Sequence, residues 1–524
     1  MSSEFVVDES PRKLTATTLA GMSWSTLNGL TVALIQVVYV AVMSRLLEPR
    51  LFGLMAIANL AVNFGANFAR MGVAQALIQK PTLSRDEIRA GFTAGLAFGV
   101  LCCAGLWVLA PWIANEVFGE PEAVLLLRVM GTHFIFLGLG MTSQGLLRRS
   151  LRFRELAIAQ IAAYLLGYGV VGLGMAAAGA GVWSLAGGVL AANLLHLGFQ
   201  YMWARHPLRP VLSVRKFGAL YNFGARISVL GFYEFLGKQL DTISVGRYTT
   251  TALLGQYSRA FVLTNLPLSH HLSHAITRVL FPGFSRIQAD PGRLKRAYLS
   301  LLTLGGTIMF SLGAGMAVAA DEIVHVALGD QWDVAATVIP FFALAVVLNI
   351  MTKFAELLCE SRAELNKVLA VQTIYLVLLA AAYVAVSGIG GIVPFAATLA
   401  ASEVLRHTAF TALLRKVADI RPGEVVRAYA PAIFSAGGVA AAIAVGRQPL
   451  LANDVAPLGI FAAELALGAV AVILCLRFNP FGHVRGELYS RLVAARLIGT
   501  RNTLFAKVAG VVLGRRHTVA RARP

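Results

Sequence analysis

The chain has 524 residues, 57% hydrophobic and 14% charged, with a formal charge of +19 and a mean hydropathy of +0.71. Soluble globular domains carry charge on about a quarter of their residues, so that class is excluded and a polytopic, all-α membrane protein is indicated. The basic residues sit in short loops and a tail between apolar runs, which points to anionic inner-leaflet lipids as their partner and not to nucleic acid.

In chain order, a polar segment (1–19) with Arg12 and Lys13 precedes a first apolar run that lacks a small-residue cleavage site and reads as an uncleaved span. Windows of about 20 apolar residues can cross roughly 30 Å of hydrocarbon. They fall at 20–44, 52–76, 90–112, 123–146, 156–178 and 181–203, and then at 222–245, 253–281, 298–319, 335–358, 366–386 and 390–413. Two more, 429–446 and 456–476, bring the total to about fourteen. Cys102, Cys103, Cys359 and Cys475 all lie in these runs without CxxC or Cys/His spacing, so neither a disulfide framework nor a metal site is indicated.

Loop charges test the count, since short cytoplasmic loops are enriched in Lys and Arg. With the N-terminus inside, the cytoplasmic loops carry Lys80, Arg85 and Arg89, then Arg148, Arg149, Arg152 and Arg154, then Arg205, Arg209, Arg215 and Lys216. Arg286, Arg293, Lys295 and Arg296 follow, then Arg362 and Lys367, then Arg415, Lys416, Arg421 and Arg427. Two alternate loops are acidic, with Glu116, Glu120 and Glu122 in one and Asp321, Glu322, Asp330 and Asp333 in the other. Both termini are therefore predicted to be cytoplasmic.

Sliding residues 20–205 along by about 202–212 positions reveals a weak internal repeat. Arg45 followed by Gly53 matches Arg247 followed by Gly255; Val117-Phe-Gly119 matches Ala327-Leu-Gly329; His196 matches His407. Six spans per copy give two lobes of like orientation, the architecture of a rocking carrier. The predicted organisation is a cytoplasmic segment (1–19), an N-lobe (20–205), a cytoplasmic linker (206–220), a C-lobe (221–416), two further spans (429–477) and a basic cytoplasmic tail (478–524). From Arg477 on, that tail has ten Lys or Arg and one acidic residue, Glu487, with Leu488, Leu492, Ala495 and Ile498 at helical spacing. It reads as an amphipathic helix on the anionic leaflet, or else as a docking site for another assembly protein.

Charges inside apolar windows mark candidate functional sites. In the seventh window Arg226, Glu234, Lys238 and Asp241 fall within an arc of roughly 120° at about 100° per residue, so one face is charged. They either line a wet cavity or pair among themselves at i,i+3 and i,i+4. The equivalent first helix offers Ser25, Asn28, Gln36 and Tyr39 on one face, and Asn59, Asn63, Asn67 and Arg70 stripe the second window. That stripe is helix glue or a sugar-binding face. His271, His274 and Arg278 share a face in the eighth span, as do Asn349, Lys353, Glu356 and Glu360 in the tenth and Glu403, Arg406 and His407 in the twelfth. The candidate substrate ligands are Arg226, Lys238, Lys353, Asn59, Asn63, Asn67, Arg70 and Gln36; the candidate ion-coupling groups are Glu234, Asp241, Glu356, His271 and His274. No Walker loop, HExxH or GxSxG is present and no outer loop is long enough for an enzyme lobe, so neither catalytic residues nor a cofactor is expected.

Five runs resemble the bacterial polysaccharide exporters of the multidrug/oligosaccharidyl-lipid/polysaccharide flippase superfamily, the colanic acid exporter type in particular. They are Ser44-Arg-Leu-Leu-Glu-Pro-Arg-Leu-Phe-Gly-Leu-Met-Ala56, Leu146-Leu-Arg-Arg-Ser-Leu-Arg-Phe-Arg154, Gly181-Val-Trp-Ser-Leu185, Asp241 to Arg247 with Leu254-Gly-Gln-Tyr257, and Ile276-Thr-Arg-Val-Leu-Phe-Pro-Gly-Phe-Ser-Arg286. The resemblance implies two six-helix lobes plus two helices in the bacterial inner membrane. It also implies a substrate of an oligosaccharide unit on undecaprenyl pyrophosphate, flipped by alternating access for exopolysaccharide, capsule or O-antigen (lipopolysaccharide) assembly. Ion antiport, with a polysaccharide polymerase and export proteins as neighbours, goes with it. Arg226, Lys238 and Lys353 could hold the pyrophosphate. The alternatives are a drug/cation antiporter or lipid II flippase of the same fold, and, less favoured, a membrane polymerase or ligase.

Overall fold

The structure is a computed structural model. It describes residues 11–69, 77–78, 83–211, 235–270, 272–453, 455–478 and 480, with the backbone alone for 11–19, 22, 67–69, 269–270 and 272–279. The described residues are almost entirely helical, as the apolar windows require: inside hydrocarbon every backbone amide must find its partner within its own segment. The helices are α1 (Pro11–Leu46), α2 (Pro49–Ala69), α3 (Arg85–Trp112), α4 (Ala123–Met130), α5 (Thr132–Arg149) and α6 (Phe153–Tyr164). A π-helical stretch, Leu165–Gly172, leads into α7 (Leu173–Ala177) and α8 (Val182–Ala204). α9 is described over 235–248. Then come α10 (Thr251–Asn265), α11 (Leu272–Ile287), α12 (Pro291–Val318), α13 (Ala320–Ala327), α14 (Asp333–Ala336), α15 (Ile339–Ser361), α16 (Leu365–Val386), α17 (Val393–Ala418), α18 (Pro422–Ala452) and α19 (Pro457–Phe478).

All fourteen apolar windows fall at least partly on this helical backbone. Ten helical rods among the described residues are long and apolar enough to span a membrane. α2, with its asparagines, and α17, with Glu403, Arg406 and His407, are not among the ten.

The chain divides into two compact units: residues 1–259 with 390–392, and residues 260–389 with 393–524. The first unit thus takes in α9 and the start of α10, where the repeat had put the lobe boundary at the 206–220 linker.

In the first unit small residues let helices approach closely. A Cβ at Gly95 of α3 would run into the Gly138 carbonyl of α5, and one at Gly138 into the Gly95 carbonyl. Without a hydrophobic drive between helices in lipid, such backbone-to-backbone packing is what joins them. The same device joins the two corners that the repeat equates. A Cβ at Gly53 would strike the Thr251 carbonyl, and one at Gly255 the Pro49 carbonyl, so α2 and α10 cross glycine against backbone. Around this crossing the segment after α3 makes four bonds: Glu120 and Glu122 each accept from Arg50, Glu120 also accepts from Thr251, and the Val117 carbonyl accepts from Arg247 at 3.3 Å.

In the second unit α15 is the central helix, with 78% of its apolar window buried. Met351, Phe354 and Leu358 pack there with Tyr298 and Leu302 of α12 and Phe410 and Leu414 of α17. α16 and α19, buried over only 22% and 17% of their windows, show Ile374, Val377, Leu458, Leu465 and Val470 outward. Those apolar flanks suit acyl chains.

Candidate functional site

α15 and α17 bring their charges together inside the second unit. Arg406 donates from Nε (3.1 Å) and Nη2 (2.8 Å) to Glu403, and its Nη1 lies 3.8 Å from Glu356. Glu356 also accepts from Lys353 Nζ at 2.9 Å and from the Gln372 amide, and the Tyr375 hydroxyl donates to Glu403 at 2.8 Å. Two carboxylates meet two cations, and a third carboxylate, Glu360, lies within electrostatic reach of Lys353 and Glu356. Glu356, Glu403 and Arg406 are buried, while the Lys353 side chain is 39% exposed. One end is a locked ion network, and the other presents an ammonium.

Beside it, Thr352 gives its single hydroxyl proton to the Leu348 carbonyl (2.8 Å), so its 3.0 Å contact with His407 must be donated by His407 Nδ1. His407 Nε2 pairs with the Tyr429 hydroxyl at 3.0 Å.

The first unit offers amides and tyrosines together with two arginines, Arg148 at its cavity and Arg259 over the Phe52 ring at 5.0 Å. Asn28 of α1 donates to Gln160 of α6 at 2.8 Å, and Tyr39 packs on Tyr168 (centroids 4.8 Å), which packs on Tyr164 (5.0 Å). A cavity of about 340 Å³ between α5 and α8 is lined by Gln144, Arg148, Asn193, His196 and Gln200, among others, with Gln200 and His196 bonded at 2.9 Å. Amides and aromatic faces of this kind suit sugar hydroxyls and rings.

Of the predicted residues, Lys353 and Glu356 are brought together, and Glu356 is engaged with Arg406. Asp241 is buried and held, accepting from the Thr242 amide (2.7 Å) and the Tyr257 hydroxyl (3.2 Å), nine residues before exposed Thr250. Lys238 is exposed, as is Asn63; Asn59 and Gln36 are half-buried. Arg226, Glu234, Arg70 and His271, and the side chains of Asn67 and His274, lie outside the described residues. Sequence reasoning missed Gln372 and Tyr375, although they stand at i,i+3 on α16, and it read His196 only as a repeat match. The i,i+3,i+7 stripe of Asn193, His196 and Gln200 was the available signal.

The family model described as "Polysaccharide biosynthesis protein" matches residues 42–337. The lipopolysaccharide biosynthesis protein WzxC of Escherichia coli (strain K12) is 24% identical over 341 residues, 64% of this chain and 67% of WzxC. The succinoglycan biosynthesis transport protein ExoT of Rhizobium meliloti (strain 1021) is 28% identical over 329 residues, 63% of this chain and 66% of ExoT, slightly less than two thirds of that relative's length. Among solved structures the lipid II flippase MurJ aligns with a TM-score of 0.67 over 87% of this chain and 98% of MurJ, at 10% identity. That likeness establishes the fold.

Proposed function

This chain belongs to the polysaccharide biosynthesis protein family, and we propose that it is a transporter, not an enzyme, which flips an undecaprenyl-pyrophosphate-linked oligosaccharide unit across the bacterial inner membrane. The observation that carries the reading is the family match over residues 42–337 of a chain built from membrane-length helices. The WzxC and ExoT likenesses and the MurJ fold support it. Both termini are cytoplasmic on the loop charges, and a polymerase receives the product on the far side.

In this reading uncharged and cationic groups take different parts of the substrate. The amides and tyrosines of the first unit accept sugar, through the α5–α8 cavity and the Asn28, Gln36 and Tyr39 face. Each unit has its own cationic candidates for the pyrophosphate, Lys238 and Arg226 in the first and Lys353 in the second, since its charge is best neutralised by ammonium and guanidinium in a low-dielectric site. Asp241, Glu234 and Glu356 remain the carboxylates for ion coupling, and Asn59, Asn63, Asn67 and Arg70 a further polar face.

The test is a deletion strain. Loss of the gene is expected to remove surface polysaccharide and leave its lipid-linked unit on the cytoplasmic leaflet, with restoration by the wild type but not by Lys238→Ala or Arg226→Ala at equal membrane levels. The MurJ fold supports one second reading, a lipid II flippase. Arrest of cell-wall synthesis in the deletion strain, with surface polymer unaffected beforehand, would decide for it.

A further inference from the structure

Glu464 is the one acidic residue of α19, its eighth residue and so about 10 Å down the helix. It is 2% exposed, and neither of its carboxylate oxygens has a hydrogen-bond partner. On α18 and α19, Val439, Ile443 and Ala471 form a buried apolar cluster, and Val318 and Leu467, the latter three residues on from Glu464, pack against it. Within electrostatic reach stand Glu322 of α13, Arg447 of α18 and Asp321. Glu322 is also buried, and Arg447 Nη1 lies 3.7 Å from its Oε2 while donating to the Val318 carbonyl at 3.0 Å. Glu322 Oε2 and Arg447 Nε are likewise without hydrogen-bond partners.

Charge decides what this cluster needs. Two enclosed carboxylates face one guanidinium, which leaves one negative charge uncompensated in an apolar setting, where an unpaired ion is costly. The other charged groups nearby do not supply the balance. Asp321 is exposed and acidic, and His325 on the same helix is exposed and engaged with Asp330 at 2.6 Å. On α18 the next cation, Arg427, is 20 residues from Arg447, about 30 Å along the helix. A metal cation would meet the guanidinium of Arg447 and its orphan Nε–H, which repel it. A proton meets no such obstacle: on one carboxylate it cancels the surplus charge.

We propose that Glu464 and Glu322 share one exchangeable proton beside Arg447, at the junction of α13, α18 and α19. No bond other than O–H is made or broken: the proton arrives from water and returns to it. On the loop-charge topology the site lies toward the outer face, next to the Asp321 to Asp333 loop. Its use as an ion step of transport rests on the function proposed above; its existence does not.

The test is infrared difference spectroscopy of the full chain in lipid nanodiscs as the pH is stepped from alkaline to acidic. The expected result is a protonated-carboxyl band in the wild type that Glu464→Gln diminishes, that Glu322→Gln diminishes by the same amount, and that the double variant diminishes no further, since one proton is shared. Sodium at constant pH leaves the band unchanged. Spectra of both single variants identical to the wild type would overturn the proposal, as would additive losses or displacement of the band by sodium. Glu322→Gln serves as the second arm should Glu464→Gln fail to fold. Because no substrate is present, the result is independent of whether the chain flips anything.

Discussion

Replacing Arg406 and Lys353 in turn separates architecture from transport in the second unit. Arg406 makes two charged bonds to Glu403, at 3.1 and 2.8 Å, and stands 3.8 Å from Glu356. Charged hydrogen bonds contribute about 1.5–3 kcal/mol each, and removing one member of a buried pair strands the other, at a cost of about 3–5 kcal/mol. In Arg406→Met, Glu403 keeps only the Tyr375 hydroxyl among these partners, so the destabilisation expected is about 3–5 kcal/mol. In Lys353→Met, Glu356 keeps Gln372 and Arg406, and the lost ammonium is partly solvated, so the cost is about 1 kcal/mol or less. Thermal unfolding in detergent and surface polysaccharide in a complemented deletion strain are read together. Arg406→Met should unfold at a clearly lower temperature and be depleted from the membrane; Lys353→Met should unfold near the wild type yet fail to export. A stable Arg406→Met, or an exporting Lys353→Met, refutes the division between locked network and exposed ammonium.

Three further outcomes follow from other contacts. Gly53→Ala must part α2 from the Thr251 carbonyl at an overpacking cost of about 1–3 kcal/mol; adding Gly255→Ala should cost less than it does alone, because the two glycines sit at one crossing, and equal costs in both backgrounds would argue against it. Tyr257→Phe removes a donor from buried Asp241 and should cost about 1–3 kcal/mol, while Asp241→Asn with Tyr257 intact should be milder; a chemical-denaturation series in nanodiscs ranks the two. Arg50 holds the exposed Glu122 carboxylate below its ordinary value through their hydrogen bond. A depressed carboxylate contributes stability above its unfolded value of about 4.3, lost as pH falls through the folded one. The difference in unfolding temperature between wild type and Glu122→Gln should therefore be constant from about pH 6 to 8 and shrink progressively as pH falls below about 4.3; a change near neutrality would contradict the assignment.

Much of the architecture was legible because hydropathy reports directly on helices that must satisfy their own backbone in lipid. The repeat was legible too, although its meaning was not: that Gly53 and Gly255 are partners in one crossing depends on which helices touch, and periodicity carries no such information. For the same reason the sequence showed Lys353 and Glu356 on one face of α15 but not that Arg406, 50 residues on, would close the network, nor that Gln372 and Tyr375 would complete it. Asp241 read as a cavity carboxylate, whereas the partner that holds it, Tyr257, comes from the next helix. Glu464 was invisible because one acidic residue does not disturb the hydropathy of a 22-residue helix, and its oddity is the absence of partners. The charged arc begun by Arg226 and Glu234 lies outside the described residues, so its orientation rests on spacing alone.

The most direct measurement places purified protein in liposomes carrying an undecaprenyl-pyrophosphate-linked oligosaccharide with a labelled sugar and follows its exposure to an external sugar-modifying enzyme. The account predicts that the protected inner-leaflet pool becomes accessible in a protein-dependent way and that Lys353→Met stays close to protein-free vesicles. A pool that remains protected with folded wild-type protein present, across pH gradients of either sign, would contradict it.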